Sequence, residues 1–126
     1  MYIDHIAIWC NDYKALAAFY SKWFNGKCSD EYFNTKRNFK SVFVSFESAC
    51  RLELMHIEGI ENAVLSNTIG LAHLAFRFSS KDAVNEQTER MKNAGVKCIS
   101  NPRITGDGYY ESCFEDPEGN LIEIVC

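Results

Sequence analysis

The stretch Phe114-Glu115-Asp116-Pro117-Glu118-Gly119-Asn120-Leu121-Ile122-Glu123-Ile124 reads as a strand end, a tight turn and a second strand. Asp, Pro, Gly and Asn between 116 and 120 are turn residues. The run that follows sets one carboxylate, Glu123, between aliphatics. An earlier run does the same with Glu53, in Arg51-Leu52-Glu53-Leu54-Met55. Each glutamate follows, about fifty residues on, a histidine in an apolar run of its own: His5 in Asp4-His5-Ile6-Ala7-Ile8, and His73 in Ala72-His73-Leu74-Ala75-Phe76. His then Glu, twice over at the same structural step, marks a duplicated unit. Two imidazoles and two carboxylates suggest one divalent metal ion working on an oxygen-rich small molecule.

At 126 residues the chain fits one compact domain or two very small modules that share a core. Its 47% hydrophobic and 24% charged content is that of an ordinary globular protein. The net charge of −4 argues against a nucleic-acid partner, which would call for a basic face. No apolar run reaches spanning length, and the N-terminus lacks the basic-then-apolar pattern of a signal peptide. The expectation is a cytoplasmic protein with no membrane partner. Six cysteines without a CxxC pair or a secretory signal read as reduced thiols, not as a disulfide framework or a zinc ribbon.

Alternation predicts a strand over 2–9, and apolar residues at Leu16, Phe19, Tyr20, Trp23 and Phe24 predict a helix over 11–25. Asn11 or Asp12 caps its start and Gly26 ends it. An extended segment near 28–35 and strands at 41–47 and 51–57 complete the first half. The second half replays the order. A strand at 71–78 leads to a helix over 80–94, with Ala83, Val84, Gln87, Met91 and Ala94 on one face, Ser79 or Ser80 as cap and Gly95 as close. Strands near 96–100, 109–115 and 121–125 follow, with a mobile Gly/Pro loop at 101–108. The fold class expected is α+β: two βαβββ modules in tandem (1–58 and 70–126, linker 59–69) forming a curved, cupped mixed sheet.

Strand alternation places the four candidate ligands. His5, Glu53, His73 and Glu123 each have aliphatic neighbours that point the other way and can bury against a helix. A lone histidine on a half-buried strand is more often a hydrogen-bonded core residue than a ligand. A carboxylate between aliphatics is harder to explain as structure, because burying it without a partner is costly. His56 differs from Glu53 by an odd count, so it turns away and reads as a surface residue.

These motifs, with Phe19-Tyr20 after the first and Gly70-Leu71 before the third, resemble the vicinal oxygen chelate superfamily along essentially the whole chain. That superfamily includes glyoxalase I, methylmalonyl-CoA epimerase, fosfomycin-resistance proteins, bleomycin-binding proteins and extradiol dioxygenases. The resemblance implies a single 1–126 domain of this type whose metal ligands are His5, Glu53, His73 and Glu123. Glyoxalase I carries that ligand set, whereas methylmalonyl-CoA epimerase usually has glutamine at the place of Glu53.

The function so implied is a metal-dependent, glyoxalase I-like lyase or isomerase, similar to lactoylglutathione lyase. It would transfer a proton on a chelating substrate such as a thiol hemithioacetal of methylglyoxal. Its catalytic residues would be Glu123 as the mobile base and Glu53 as its counterpart. The cofactor would be Ni²⁺ or Co²⁺, with Zn²⁺, Mn²⁺ and Fe²⁺ also suited to such donors. An epimerase of a 2-oxoacyl or CoA-type compound and a drug-binding protein of the bleomycin-resistance type are the alternatives. Glutathione-using glyoxalases commonly place arginine four residues after the first histidine and asparagine four after the first glutamate. Trp9 and Ile57 stand there, which argues against glutathione. Arg77, Arg51 and Arg103 are candidates for an anionic substrate tail. Trp9 and Phe43 are candidates for an apolar pocket wall, with core packing as the more ordinary reading. The expected assembly is a symmetric homodimer.

Overall fold

The computed structural model describes residues 1–60 and 69–126, and the chain divides into two compact units, Met1–Ala63 and Val64–Cys126. Of the expected linker 59–69, residues 61–68 lie outside the described residues. The first unit runs β1 (His5–Trp9), α1 (Tyr13–Phe24), β2 (Lys27–Cys28), β3 (Tyr32–Asn34), β4 (Phe39–Ser45) and β5 (Arg51–Ile57). The second runs β6 (His73–Arg77), α2 (Lys81–Asn93), β7 (Cys98–Ile104), β8 (Tyr110–Glu115) and β9 (Leu121–Val125). The architecture is α+β, with one mixed sheet in each module.

The two sheets share one topology. In the first the order is β1-β5-β4-β2, with β3 also on β4; in the second it is β6-β9-β8-β7. The outer histidine strand pairs in parallel with the glutamate strand in both, β1 with β5 and β6 with β9. The remaining pairs are antiparallel. A parallel pair needs a long crossover, and here the helix and the intervening strands supply it.

Each helix buries one face on its own sheet. Tyr13, Leu16, Ala17, Phe19, Tyr20 and Trp23 of α1 are buried, and α1 packs on β4 and β5 against Val42, Val44, Leu52 and Leu54. Val84, Gln87, Thr88 and Met91 of α2 pack on β7, β8 and β9 over Phe114, Ile122 and Ile124. Thr88, not Ala94, completes that face. Its hydroxyl donates to the Val84 carbonyl and meets the Ser112 hydroxyl on β8, each at 2.7 Å. Asp12 and Ser80 cap the two helix starts by accepting the backbone N–H three residues on, at 2.9 and 3.1 Å.

Several boundaries differ from the sequence reading: the strand expected at 41–47 falls at Phe39–Ser45, and the segment near 28–35 divides into β2 and β3. Helix α1 ends on Asn25, which takes the left-handed conformation (φ 54), so Gly26 is not the cap. Gly26 is needed for space instead: a Cβ there would sit 2.4 Å from Val44 Cγ1. The expected mobile loop 101–108 shrinks to a turn after Ile104, because Asn101–Ile104 continue strand β7. Pro102 is tolerated there because β7 is a sheet edge, and the register shifts between Ser100 and Arg103. Strand β1 begins only at His5, leaving Tyr2 and Ile3 exposed.

Candidate metal centre

The parallel registers bring each histidine and glutamate together. Ala7 is the register partner of Glu53, and Ala75 is that of Glu123. Each histidine lies two residues before its alanine, on the same face of the sheet. The small alanine opposite each carboxylate leaves the imidazole room to lean across. His5 Nε2 lies 3.6 Å from Glu53 Oε2, and His73 Nε2 lies 3.2 Å from Glu123 Oε2. Exposure matches too: the histidine side chains are 40% and 41% exposed, the glutamates 18% and 20%. On the opposite faces Leu52, Leu54, Ile122 and Ile124 are buried and Ile6, Ile8, Leu74 and Phe76 are half-buried. The aliphatics therefore pay for folding, and the donors stay on the open face.

Among the described residues no group of three or more His, Cys, Asp or Glu side chains stands ready for a metal ion. Within each module the donors come as a pair, and a lone pair is also what an ordinary His–Glu ion pair looks like. The first pair has a further carboxylate beside it. His5 Nδ1 also lies 2.9 Å from Asp4 Oδ2, which accepts from it, so the ring stands between two carboxylates. An imidazole nitrogen and a carboxylate oxygen are donor types that a divalent transition metal takes, and each module supplies one of each.

Around the first pair, Arg51 bonds the Asp4 carboxylate and lies over the Phe43 ring, 4.4 Å from its centroid. Asp4 is held below the ordinary carboxylate range by its bonds to His5 and then Arg51. Phe43 is the β4 partner of Glu53 and meets the His5 ring edge-on at 5.4 Å. Trp9 is not core within its module. It is 52% exposed on the His5 face, edge-on to Phe39 at 6.1 Å.

The second pair has different neighbours. Cys113 is the β8 partner of Glu123, and Glu111 stands one step along the same face. Burial and then the Glu123 charge push the Cys113 thiol up to about 11. The same two causes, in the same order, raise Glu111, against the pull of Arg103. Arg103 is bonded to Glu111 at 3.3 Å, while Arg77 lies over the Tyr109 ring at 5.3 Å. All six cysteines are free thiols. His56 turns to the helix side as expected, yet is half-buried rather than a surface residue. Its Nδ1–H donates to the Cys10 carbonyl at 3.0 Å, and its ring stacks on Tyr13.

Sequence reasoning passed over Asp4 and Glu111. Asp4 had a visible signal, a carboxylate adjacent to the histidine. Glu111 becomes visible only once β8 is registered on β9.

The sequence model of the Glyoxalase/Bleomycin resistance protein/Dioxygenase superfamily matches residues 2–124. The chain belongs to that superfamily. Its members typically use divalent metals, bind small molecules and form dimers. An uncharacterised protein of Bacillus subtilis (strain 168), YqjT, is 37% identical over 60 residues, a match that takes in 45% of this chain and 47% of YqjT. The matched segment thus spans about half the length of that curated relative. The fold is similar to that of a glyoxalase family protein from Enterococcus faecalis, with a TM-score of 0.80, 21% identity, and 99% and 97% of the two chains covered. It is also similar to glyoxalase I from Zea mays, with a TM-score of 0.80, 20% identity, and 98% of this chain but 43% of the maize chain covered. No helix among the described residues is long and apolar enough to cross a membrane.

Proposed function

We propose that this chain is a metal-dependent lyase or isomerase of the glyoxalase I type. Its two modules would act as one 1–126 domain on a small substrate with adjacent oxygens, such as the hemithioacetal of methylglyoxal with a thiol. The observation that supports this most directly is the register-matched His–Glu pair on the open face of each module. In this reading His5, Glu53, His73 and Glu123 hold one divalent ion, Ni²⁺ or Co²⁺ before Zn²⁺, Mn²⁺ or Fe²⁺. The bound ion would supply Lewis-acid stabilisation of the charge that develops on the substrate oxygens.

The chain's own residues do the rest. Glu123 takes the proton from the hemithioacetal carbon and returns it to the neighbouring carbon, so the reaction is a balanced isomerisation with no co-reactant. Glu53 stays in place as its counterpart. Arg77 is the candidate anchor for an anionic tail, since Arg51 and Arg103 are already bonded to carboxylates. Trp9 and Phe43 present rings on the His5–Glu53 face to an apolar part of the substrate. A homodimer in the cytoplasm belongs to the same reading.

The test is metal analysis of the purified chain coupled to an isomerisation screen with methylglyoxal adducts of several thiols. Stoichiometric metal and turnover of at least one adduct are expected. Metal without turnover of any adduct would redirect the reading to an epimerase of a 2-oxoacyl or CoA-type compound, which Trp9 and Ile57 at the two glutathione positions would also suit. Failure to take up metal would leave a binding protein.

A further inference from the structure

The two half-sites are built alike but held differently. His5 is preceded by Asp4, whose carboxylate accepts the Nδ1–H, and Asp4 is itself fixed to Arg51 twice. One tie is the side-chain ion pair; the other is the Arg51 backbone N–H donating to the Asp4 carbonyl at 3.0 Å. Arg51 is the β5 register partner of His5, so the brace spans the strand pair that carries both donors. Its guanidinium is backed by the Phe43 ring, which also meets His5 edge-on. The second module replaces these parts with apolar residues. Ala72 precedes His73, and Leu121 is its register partner.

We propose that Asp4 and Arg51 are positioning residues that fix the tautomer and orientation of His5, making the first half-site the rigid anchor and leaving the second free to yield. The inference rests on the metal reading above. It also gives that reading a reason for assigning proton transfer to Glu123, since the glutamate that must move belongs to the half without a brace. Partners of this kind on metal-bound histidines set the ring orientation, and their loss typically lowers metal affinity by about 10–100-fold. Asp4 is exposed, which places the expectation near the lower bound.

The experiment measures Co²⁺ affinity by chelator competition and records the visible spectrum of the Co²⁺-loaded chain, for wild type, Asp4→Ala, Asp4→Asn and Arg51→Leu. Far-UV circular dichroism confirms folding of each. Asp4→Ala is expected to bind Co²⁺ about tenfold more weakly with a changed spectrum. Asp4→Asn keeps an acceptor oxygen and should recover most of both, with Arg51→Leu in between. Imidazole ¹⁵N shifts of the metal-free chain should show His5 protonated on Nδ1 in wild type, and that preference lost in Asp4→Ala. Wild-type affinity and spectrum in Asp4→Ala, or a His5 protonated on Nε2 in wild type, would overturn the inference alone. Absence of Co²⁺ uptake by wild type and variants together would overturn the metal reading and this inference with it.

Discussion

Glu123→Gln separates the proton carrier from a merely structural carboxylate. Glutamine has nearly the same shape, and its carbonyl oxygen can still accept from His73 Nε2, which lies 3.2 Å from the present carboxylate. That pair is 41% and 20% exposed, so solvent screening limits the stability lost to about 1 kcal/mol or less. The fold and the open face should therefore survive. What glutamine cannot do is accept a proton from carbon. A positioned general base contributes roughly 10²–10⁴-fold, or about 3–5 kcal/mol of barrier. With the metal content of each sample measured, kcat for the best thiol adduct should fall by that factor in Glu123→Gln, with only a small change in Tm. Glu53→Gln is the matched control: equally exposed and on the same register step, but paired with the braced histidine. It should lose metal affinity more than turnover per bound ion. Glu123→Gln within tenfold of wild type, or Glu53→Gln as inactive as Glu123→Gln at full metal content, would refute the assignment.

Thr88→Val strips the Ser112 hydroxyl of a buried 2.7 Å partner and should cost about 1–3 kcal/mol in denaturant unfolding, whereas Thr88→Val with Ser112→Ala should be closer to wild type; additive losses would argue against the bond. Gly26→Ala forces a methyl to within 2.4 Å of Val44 Cγ1 and should cost about 1–3 kcal/mol by the same measurement; an unchanged midpoint would show that the β4 side chain gives way freely. Glu111 is raised from its ordinary 4.5 by burial and the Glu123 charge, so the folded chain holds that proton more tightly than the unfolded one. Its contribution is favourable at low pH and is lost as pH rises from about 4.5 through the raised value. The Tm of Glu111→Gln minus that of wild type should thus grow more positive across that window, and a flat difference would contradict the assigned cause.

What the sequence disclosed was whatever depends on local periodicity. Strands 51–57 and 121–125 run as the alternation predicts, and the aliphatics flanking Glu53 and Glu123 point to the helices. The fold class and the superfamily were legible for the same reason: a duplicated strand–helix–strand pattern with marked positions survives without knowing any tertiary contact. The misreadings depend on contacts far apart in sequence. Gly26 is set by Val44, His56 by the Cys10 carbonyl and Tyr13, and the strand character of Asn101–Ile104 by pairing with β8. Asp4 evaded the alternation rule because it precedes the ladder, where the chain need not keep strand parity.

Register also explains why the ligand candidates were easier to read than the substrate. Counted along each open face, the rows bearing His and Glu hold similar chemistry: His5 with Ala7 and Glu53, and His73 with Ala75 and Glu123. The next row diverges. In the first module it is Trp9, Met55 and Ser41; in the second it is Arg77, Val125 and Glu111. Two of the three residues in each row come from strands that follow one another in the chain, but their alignment is fixed only by antiparallel pairing, which a one-residue slip would reverse. Duplication therefore repeats the row that carries the donors and not the row beyond it. One module presents an aromatic ring and a thioether at that step, the other a guanidinium and a buried carboxylate. A reader of the linear sequence meets these as six unrelated residues. Assembled on the sheets, they are the place where the open faces of two otherwise similar modules differ in chemistry.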